Sequence, residues 1–163
     1  MGKTTQRLSG MRVEHVMARD VVAVQADSSM AEAAKILRDY AISGVPVVDD
    51  TGRCIGVLSA SDFVDSKSEE SPAHPPVVHV TTTPDSTGLA RAEVLDETTV
   101  RANMSPKVET ILEHLTLVDA GRLMCEEHIH RLIVVDRHGR PIGIVSSLDL
   151  VSALVHAAEE LAD

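Results

Sequence analysis

Apolar residues recur along this chain in two rhythms, and the rhythms alternate in the same order twice. Val21-Val22-Ala23-Val24 is a short β-branched run that predicts a strand. Ser29-Met30-Ala31-Glu32 follows with the capping-box spacing of a helix start. Met30, Ala33, Ala34, Leu37 and Ala41 then repeat at i, i+3, i+4, i+7, the stripe of an amphipathic helix. Val45–Val48 predicts a second strand, Asp49-Asp50-Thr51-Gly52 supplies turn chemistry, and Ile55–Leu58 predicts a third strand. A second helix begins near Ser59. The later half predicts the same succession: strand Val108–Ile111, helix Leu117–Glu127, strand Leu132–Val135, turn Asp136–Gly139, strand Ile142–Val145. Its closing helix runs from Ser147 to about Leu161, with Leu148, Val151, Val155 and Ala158 on one side.

A shift of 87 residues superimposes the two halves without a gap and gives 15 identities between residues 13–64 and 100–151. Among them are Val13/Val100, Met17/Met104, Val47-Val48-Asp49/Val134-Val135-Asp136, Ile55-Gly56/Ile142-Gly143, Ser59/Ser146 and Asp62/Asp149. Unrelated sequences of average composition would share roughly three to five. The chain is therefore an internal duplication of a strand–helix–strand–strand–helix unit. A helical crossover makes the first two strands of each unit parallel, and the tight turn makes the last two an antiparallel hairpin. The expected organisation is a flexible tail over 1–12, repeat 1 over 13–64, an insert over 65–99, and repeat 2 over 100–163 with its long final helix. Within the insert, Val77–Val80 predicts an edge strand and Leu89–Leu95 a helical turn or two.

Composition narrows the function classes. Tyr40 and Phe63 are the only aromatic residues, so Val, Ile, Leu, Ala and Met must fill the core, and no stacking platform for single-stranded nucleic acid is available. The net charge of −10 opposes binding to nucleic acid or anionic membranes. Two distant cysteines, Cys54 and Cys125, suit free thiols in a reducing compartment. With no spanning apolar run and no signal-like start, the expectation is a soluble cytoplasmic protein. Gly2-Lys3-Thr4 lacks the upstream glycine of a phosphate loop, and Gln6 breaks the myristoylation pattern that Met1-Gly2 begins.

The candidate chemistry lies in a motif that occurs once per repeat: Gly56-Val57-Leu58-Ser59-Ala60-Ser61-Asp62 and Gly143-Ile144-Val145-Ser146-Ser147-Leu148-Asp149. Each sets a serine and a carboxylate, three apart, at the mouth of a helix that follows a strand. Free backbone N–H groups there suit an anion, and a carboxylate can accept both hydroxyls of a ribose. Each glycine admits close approach to the backbone. The same Ser-x-x-Asp spacing also serves as a helix cap worth about 1 kcal/mol with no ligand involved. The two roles are compatible.

With this motif in both copies, the chain resembles a tandem pair of CBS (cystathionine β-synthase) domains, the Bateman module. His130-Arg131-Leu132-Ile133-Val134-Val135-Asp136 is similar to the nucleotide-binding repeats of the AMP-activated protein kinase γ subunit. The resemblance covers the two repeats and leaves out the tail and the insert. It implies a mixed α/β (α+β) fold of two βαββα repeats in a pseudo-twofold disc that dimerises, with two clefts for adenosine ligands. It assigns Ser59 and Ser146 to phosphate or ribose oxygens, Asp62 and Asp149 to the ribose diol, and His130 and Arg131 to phosphate. It also marks Thr110 near the end of a first strand, where repeat 1 has Ala23. Repeat 1 carries Ser43-Gly44 in place of His130-Arg131, so a strongly charged ligand group is expected at repeat 2.

Cys125, His128 and His130 form a Cys-x-x-His-x-His cluster. The predicted helix end and strand splay these side chains, and structural zinc needs four placed ligands, so no metal is expected. No serine has a partner histidine in the duplicated pattern, and a Gly-x-Ser-x-Gly elbow is missing, so no enzyme is expected. The resulting expectation is a regulatory module that needs no cofactor. It binds AMP, ADP, ATP, S-adenosylmethionine or NAD(H) as a regulatory ligand and signals to a separate effector protein. The rivals are a ligand-free dimerisation scaffold and a metal sensor.

Overall fold

The computed structural model describes residues 10–65 and 98–160. The expectations for Val77–Val80 and Leu89–Leu95 lie outside the described residues. The first repeat contains β1 (Val24–Gln25), α1 (Met30–Asp39), β2 (Gly44–Val48), β3 (Cys54–Ser59) and the helical turn α2 (Asp62–Asp65). The second half contains α3 (Val100–Asn103), β4 (Thr110–Leu112), α4 (Leu117–Glu126), β5 (Arg131–Val135), β6 (Pro141–Ser146) and α5 (Ser147–Glu159). Two three-stranded sheets result, ordered β1-β2-β3 and β4-β5-β6, each with one parallel and one antiparallel pairing. This is the mixed α/β duplication that the hydrophobic pattern predicts.

The two copies agree in fine backbone detail. Both hairpins carry a register shift at the same place, between Val47 and Val48 and between Val134 and Val135. Both turns close on an aspartate whose Oδ1 accepts two backbone N–H groups. Asp49 takes those of Thr51 (2.9 Å) and Arg53 (3.0 Å), and Asp136 takes those of His138 (2.8 Å) and Arg140 (3.0 Å). These bonds favour the ionised carboxylate, so both acids titrate below the ordinary aspartate value, chiefly through the Thr51 hydroxyl for Asp49 and the Arg140 N–H for Asp136. Gly52 and Gly139 complete the turns at φ 81° and 78°. At the tips the Cys54 N–H donates to the Gly139 carbonyl (2.9 Å). The return bond would start from Pro141, which has no N–H.

Four expectations shift: the strand predicted over Val108–Ile111 is observed at Thr110–Leu112, the helix predicted to begin near Ser59 begins at Asp62, and two others differ for visible backbone reasons. The strand predicted over Val21–Val24 is observed only at Val24–Gln25, because the Val21 N–H bonds back to Arg19 O (2.9 Å) and the chain turns there before it can pair with β2. The stripe predicted to reach Ala41 stops earlier. Ala41 is exposed and left-handed (φ 52°), and the Ile42 N–H bonds Leu37 O (2.9 Å) while the Ala41 N–H bonds Arg38 O (3.1 Å). Those two bonds form a Schellman stop with alanine where glycine is usual. His128, at the matching site in repeat 2, has φ 54°.

The chain also exchanges its leading segments between the repeats. Val13 is fully buried, and it lies in the core of Ile111, Leu117, Met124, Leu132, Val134 and Val145. Val100 is fully buried among Val24, Met30, Leu37, Val45, Val47 and Leu58. Backbone bonds follow the exchange. Val13 N–H donates to Leu115 O and Val100 N–H to Ser28 O, each at 2.9 Å. Ala18 pairs with Ile144 on the free edge of β6, and Ser105 pairs with Val57 on the free edge of β3. Ordered structure starts ahead of residue 13, since Met11 O accepts the Leu117 N–H (2.9 Å). The β3 and β6 edges are thereby each covered by backbone that precedes the other repeat's first strand.

This exchange explains the motif glycines. A Cβ at Gly56 would lie 2.7 Å from Ser105 O and 2.8 Å from Met104 Sδ; one at Gly143 would lie 2.5 Å from Met17 Sδ and 3.1 Å from Ala18 O. The close approach expected of a ligand is made instead by the crossing segments. Gly56→Ala is expected to lower stability by about 2 kcal/mol through overpacking, because a backbone oxygen must move. Ala41→Gly is expected to raise it by about 1 kcal/mol by removing the left-handed penalty. Thermal unfolding of the two variants beside the parent measures both.

Candidate functional site

The paired serines and aspartates are placed by the strand-to-helix junctions. Ser146 ends β6 and caps α5: its N–H and hydroxyl both reach Asp149 Oδ2 (2.7 and 2.6 Å), and the Asp149 N–H returns to Ser146 Oγ (3.3 Å). Ser59 ends β3 in the same way, with N–H and hydroxyl on Asp62 Oδ2 at 2.6 and 2.8 Å and the Ser61 hydroxyl 2.7 Å from its own. The Ser146–Asp149 pair thus forms a capping box on α5, whereas Ser59 and Asp62 are joined ahead of a helical turn that begins at Asp62 itself; each aspartate meets its serine through a single oxygen.

A cleft of about 350 Å³ opens between the repeats. Ser43–Pro46 of β2 and its approach, with Val57 and Ser59 of β3, form one wall. Lys107–Glu109, Glu127, Ile129, Arg131–Ile133 and Ile144 form the other. Val45, Pro46, Val57, Ile129, Ile133 and Ile144 make the lining mostly apolar.

Among the residues singled out in the sequence, Ser59 and Arg131 are brought together in this cleft. Asp62 is half-buried behind Ser59, to which it is bonded, and is not part of the lining. Thr110 is half-buried in β4, in register with Ile133. His130 is exposed beside Arg131, and its carbonyl accepts the Ser147 N–H (2.9 Å). Ser146 and Asp149 stand at the mouth of α5, outside the cleft lining.

Three charged residues that the motif analysis passed over line the cleft: Lys107, Glu109 and Glu127. Lys107 Nζ lies 2.9 Å from Glu127 Oε2, a bond that holds the ammonium above its ordinary value. The lysine side chain is 75 % exposed, so solvent screens the pair heavily. The signal that could have found these residues is divergence between the copies. By the 87-residue shift Lys107 replaces Asp20, Glu109 replaces Val22, and Glu127 replaces Tyr40. Arg131 replaces Gly44 by the same shift.

Elsewhere, Cys125, His128 and His130 are all exposed, and among the described residues no three His, Cys, Asp or Glu side chains come together to hold a metal. Cys54 is half-buried in β3, and burial pushes its thiol upward, away from the reactive thiolate. No helix among the described residues is long and apolar enough to cross a membrane.

The sequence pattern of the CBS domain matches this chain twice, over residues 13–69 and 98–156. The chain belongs to the CBS-domain family. As a CBS pair it is 31 % identical over 155 residues to an uncharacterized protein of Methanocaldococcus jannaschii, covering 89 % of this chain and 92 % of that one. Its fold is similar to that of CBSX2 crystallised with AMP, a CBS-pair protein known from Arabidopsis thaliana (TM-score 0.64, 24 % identity, 90 % of this chain and 98 % of that chain). It is also similar to the CBS domain pair of protein MJ0100 with 5′-methylthioadenosine and S-adenosyl-L-methionine (TM-score 0.63, 22 %, 91 % and 98 %). A third likeness is to the CBS domain of a bacterial CNNM/CorC family Mg2+ transporter with ATP (TM-score 0.67, 21 %, 93 % and 92 %). These likenesses establish the tandem CBS fold.

Proposed function

We propose that this CBS pair is a non-catalytic regulatory module of the cytoplasm that takes an adenosine-containing ligand into the cleft between its repeats and passes the occupancy to a separate effector protein. The observation that carries the reading is the cleft itself. Its volume falls in the ligand-pocket range of about 300–1,000 Å³, its walls are mostly apolar, and Arg131, Ser43 and Ser59 are among the polar residues that line it. Support also comes from the bound molecules of the structural relatives: AMP, ATP, 5′-methylthioadenosine and S-adenosyl-L-methionine. NAD(H) and ADP share the same adenosine half.

In this reading the adenine packs against Val45, Pro46, Ile133 and Ile144, and Arg131 gives two parallel hydrogen bonds to a phosphate. Ser59 adds a hydroxyl, and Asp62, bonded behind it, reaches the ribose diol when its side chain leaves the serine. The internal duplication sets Ser146 and Asp149, with His130 and Thr110, as the equivalent group for the second repeat. Binding shifts the population toward the arrangement of repeats that completes the cleft, by no more than the ligand's differential affinity. A second reading, a ligand-free scaffold, is favoured by the hydrogen bonds within both serine–aspartate pairs, which are made without any ligand.

The pair also forms a homodimer in this proposal. Helix α5 buries Ala153 and Ala157 and leaves Leu148, Val151, Leu154 and Val155 exposed, with Leu148 at 73 %. A stripe of that kind on a polar chain marks a contact surface. Light scattering is expected to give twice the monomer mass, and Leu148→Glu with Val151→Glu to return it to one. Calorimetry with AMP is expected to give saturable binding that Arg131→Ala weakens by about tenfold or more, the loss of a charged hydrogen-bond pair. Absence of binding by AMP, ATP, S-adenosylmethionine and NAD alike would leave the scaffold reading.

A further inference from the structure

The charges on the cleft wall carry a conclusion about which ligand charge fits. Two cations, Lys107 and Arg131, face the same cavity as two carboxylates, Glu109 and Glu127. Lys107 is already committed to Glu127 at 2.9 Å. The side chains of Arg131 and Glu109 make no hydrogen bond or ion pair among the described residues. The cavity therefore offers one cation with no bonded partner, Arg131, and a second, Lys107, that is bonded to Glu127 and also feels the charge of Glu109. A single phosphate, at about −1.5 to −2, is met by Arg131. Each further phosphate brings anionic oxygens that have no free cation to meet and two carboxylates to avoid.

We propose that Glu109 and Glu127 limit the negative charge this cleft accepts, so that it takes a nucleoside monophosphate and turns away the triphosphate. The proposal rests on the adenosine-ligand reading and adds the selection within that class. Glu109 acts directly, as a carboxylate on the wall. Glu127 acts by occupying Lys107, which would otherwise be a second phosphate ligand. The copy-to-copy comparison agrees with a role acquired at this cleft alone, since the matching residues in repeat 1 are Val22 and Tyr40, neither of them charged.

The test is calorimetric titration of AMP, ATP and adenosine into the full chain, in buffer without divalent cations and again with magnesium. The parent is expected to bind AMP about tenfold or more tighter than ATP in the magnesium-free buffer, and magnesium, which neutralises part of the triphosphate charge, to narrow that ratio. Glu109→Gln and Glu127→Gln are each expected to narrow that ratio severalfold, and the double variant to erase it. Thermal unfolding of each variant verifies that it is folded. Should a variant fail to fold, the parent's AMP-to-ATP ratio still decides the matter. ATP binding as tight as AMP in the magnesium-free buffer, or a ratio there that folded variants leave unchanged, overturns the charge limit while leaving the adenosine reading intact. If none of the three compounds binds the parent or the variants, both readings fall together.

Discussion

The fold depends on an exchange of backbone between its two halves. Val13 and Val100 are each completely buried, and each completes the core of the repeat it does not precede. A fully buried valine contributes roughly 1.5–3 kcal/mol. Here that contribution goes across the duplication, together with the strand-edge bonds of Ala18 to Ile144 and Ser105 to Val57. Each sheet has its hairpin edge, β3 or β6, covered only by the other half's leading segment. The cleft lies along this shared boundary, so its two walls are held in register by the same crossing chains that close the cores.

Much of this was legible in the residues. The alternation of periods gave the strand–helix–strand–strand–helix order of both repeats, though not the short helix α3, and the 87-residue identity fixed their common topology. The capping boxes at Ser29/Glu32 and Ser146/Asp149 were readable from spacing alone and are formed. The exchange was not legible. Val13 and Val100 align with each other whichever core they fill, because an internal duplication aligns equivalent residues without saying which copy of the partner surface each one touches. The early end of α1 was hidden for a different reason: Ala41 continues the apolar stripe, and only its left-handed backbone shows that the helix has stopped.

The site divides along the same line. Ser59 and Arg131 were visible because they sit in a repeated motif or in a segment similar to a nucleotide-binding one. Lys107, Glu109 and Glu127 were not, because motif reading rewards what two copies share and these positions are where the copies differ. A duplicated fold keeps its packing residues in pairs and is free to vary at the cleft. The conserved half of such a comparison reports on architecture, and the divergent half reports on chemistry. The motif glycines belong to architecture: their missing side chains make room for Met104 and Ser105, and for Met17 and Ala18.

The seam between the hairpin tips shows how little is needed to give such a pair a direction. Cys54 donates across it to Gly139, and the imino nitrogen of Pro141 has nothing to give back. One stitch therefore holds a junction that the duplication laid out for two. The two hairpin tips are thus joined unequally, by a bond on the Cys54 side that the Pro141 side cannot return. The molecule has a front and a back, although its two halves trace nearly the same path.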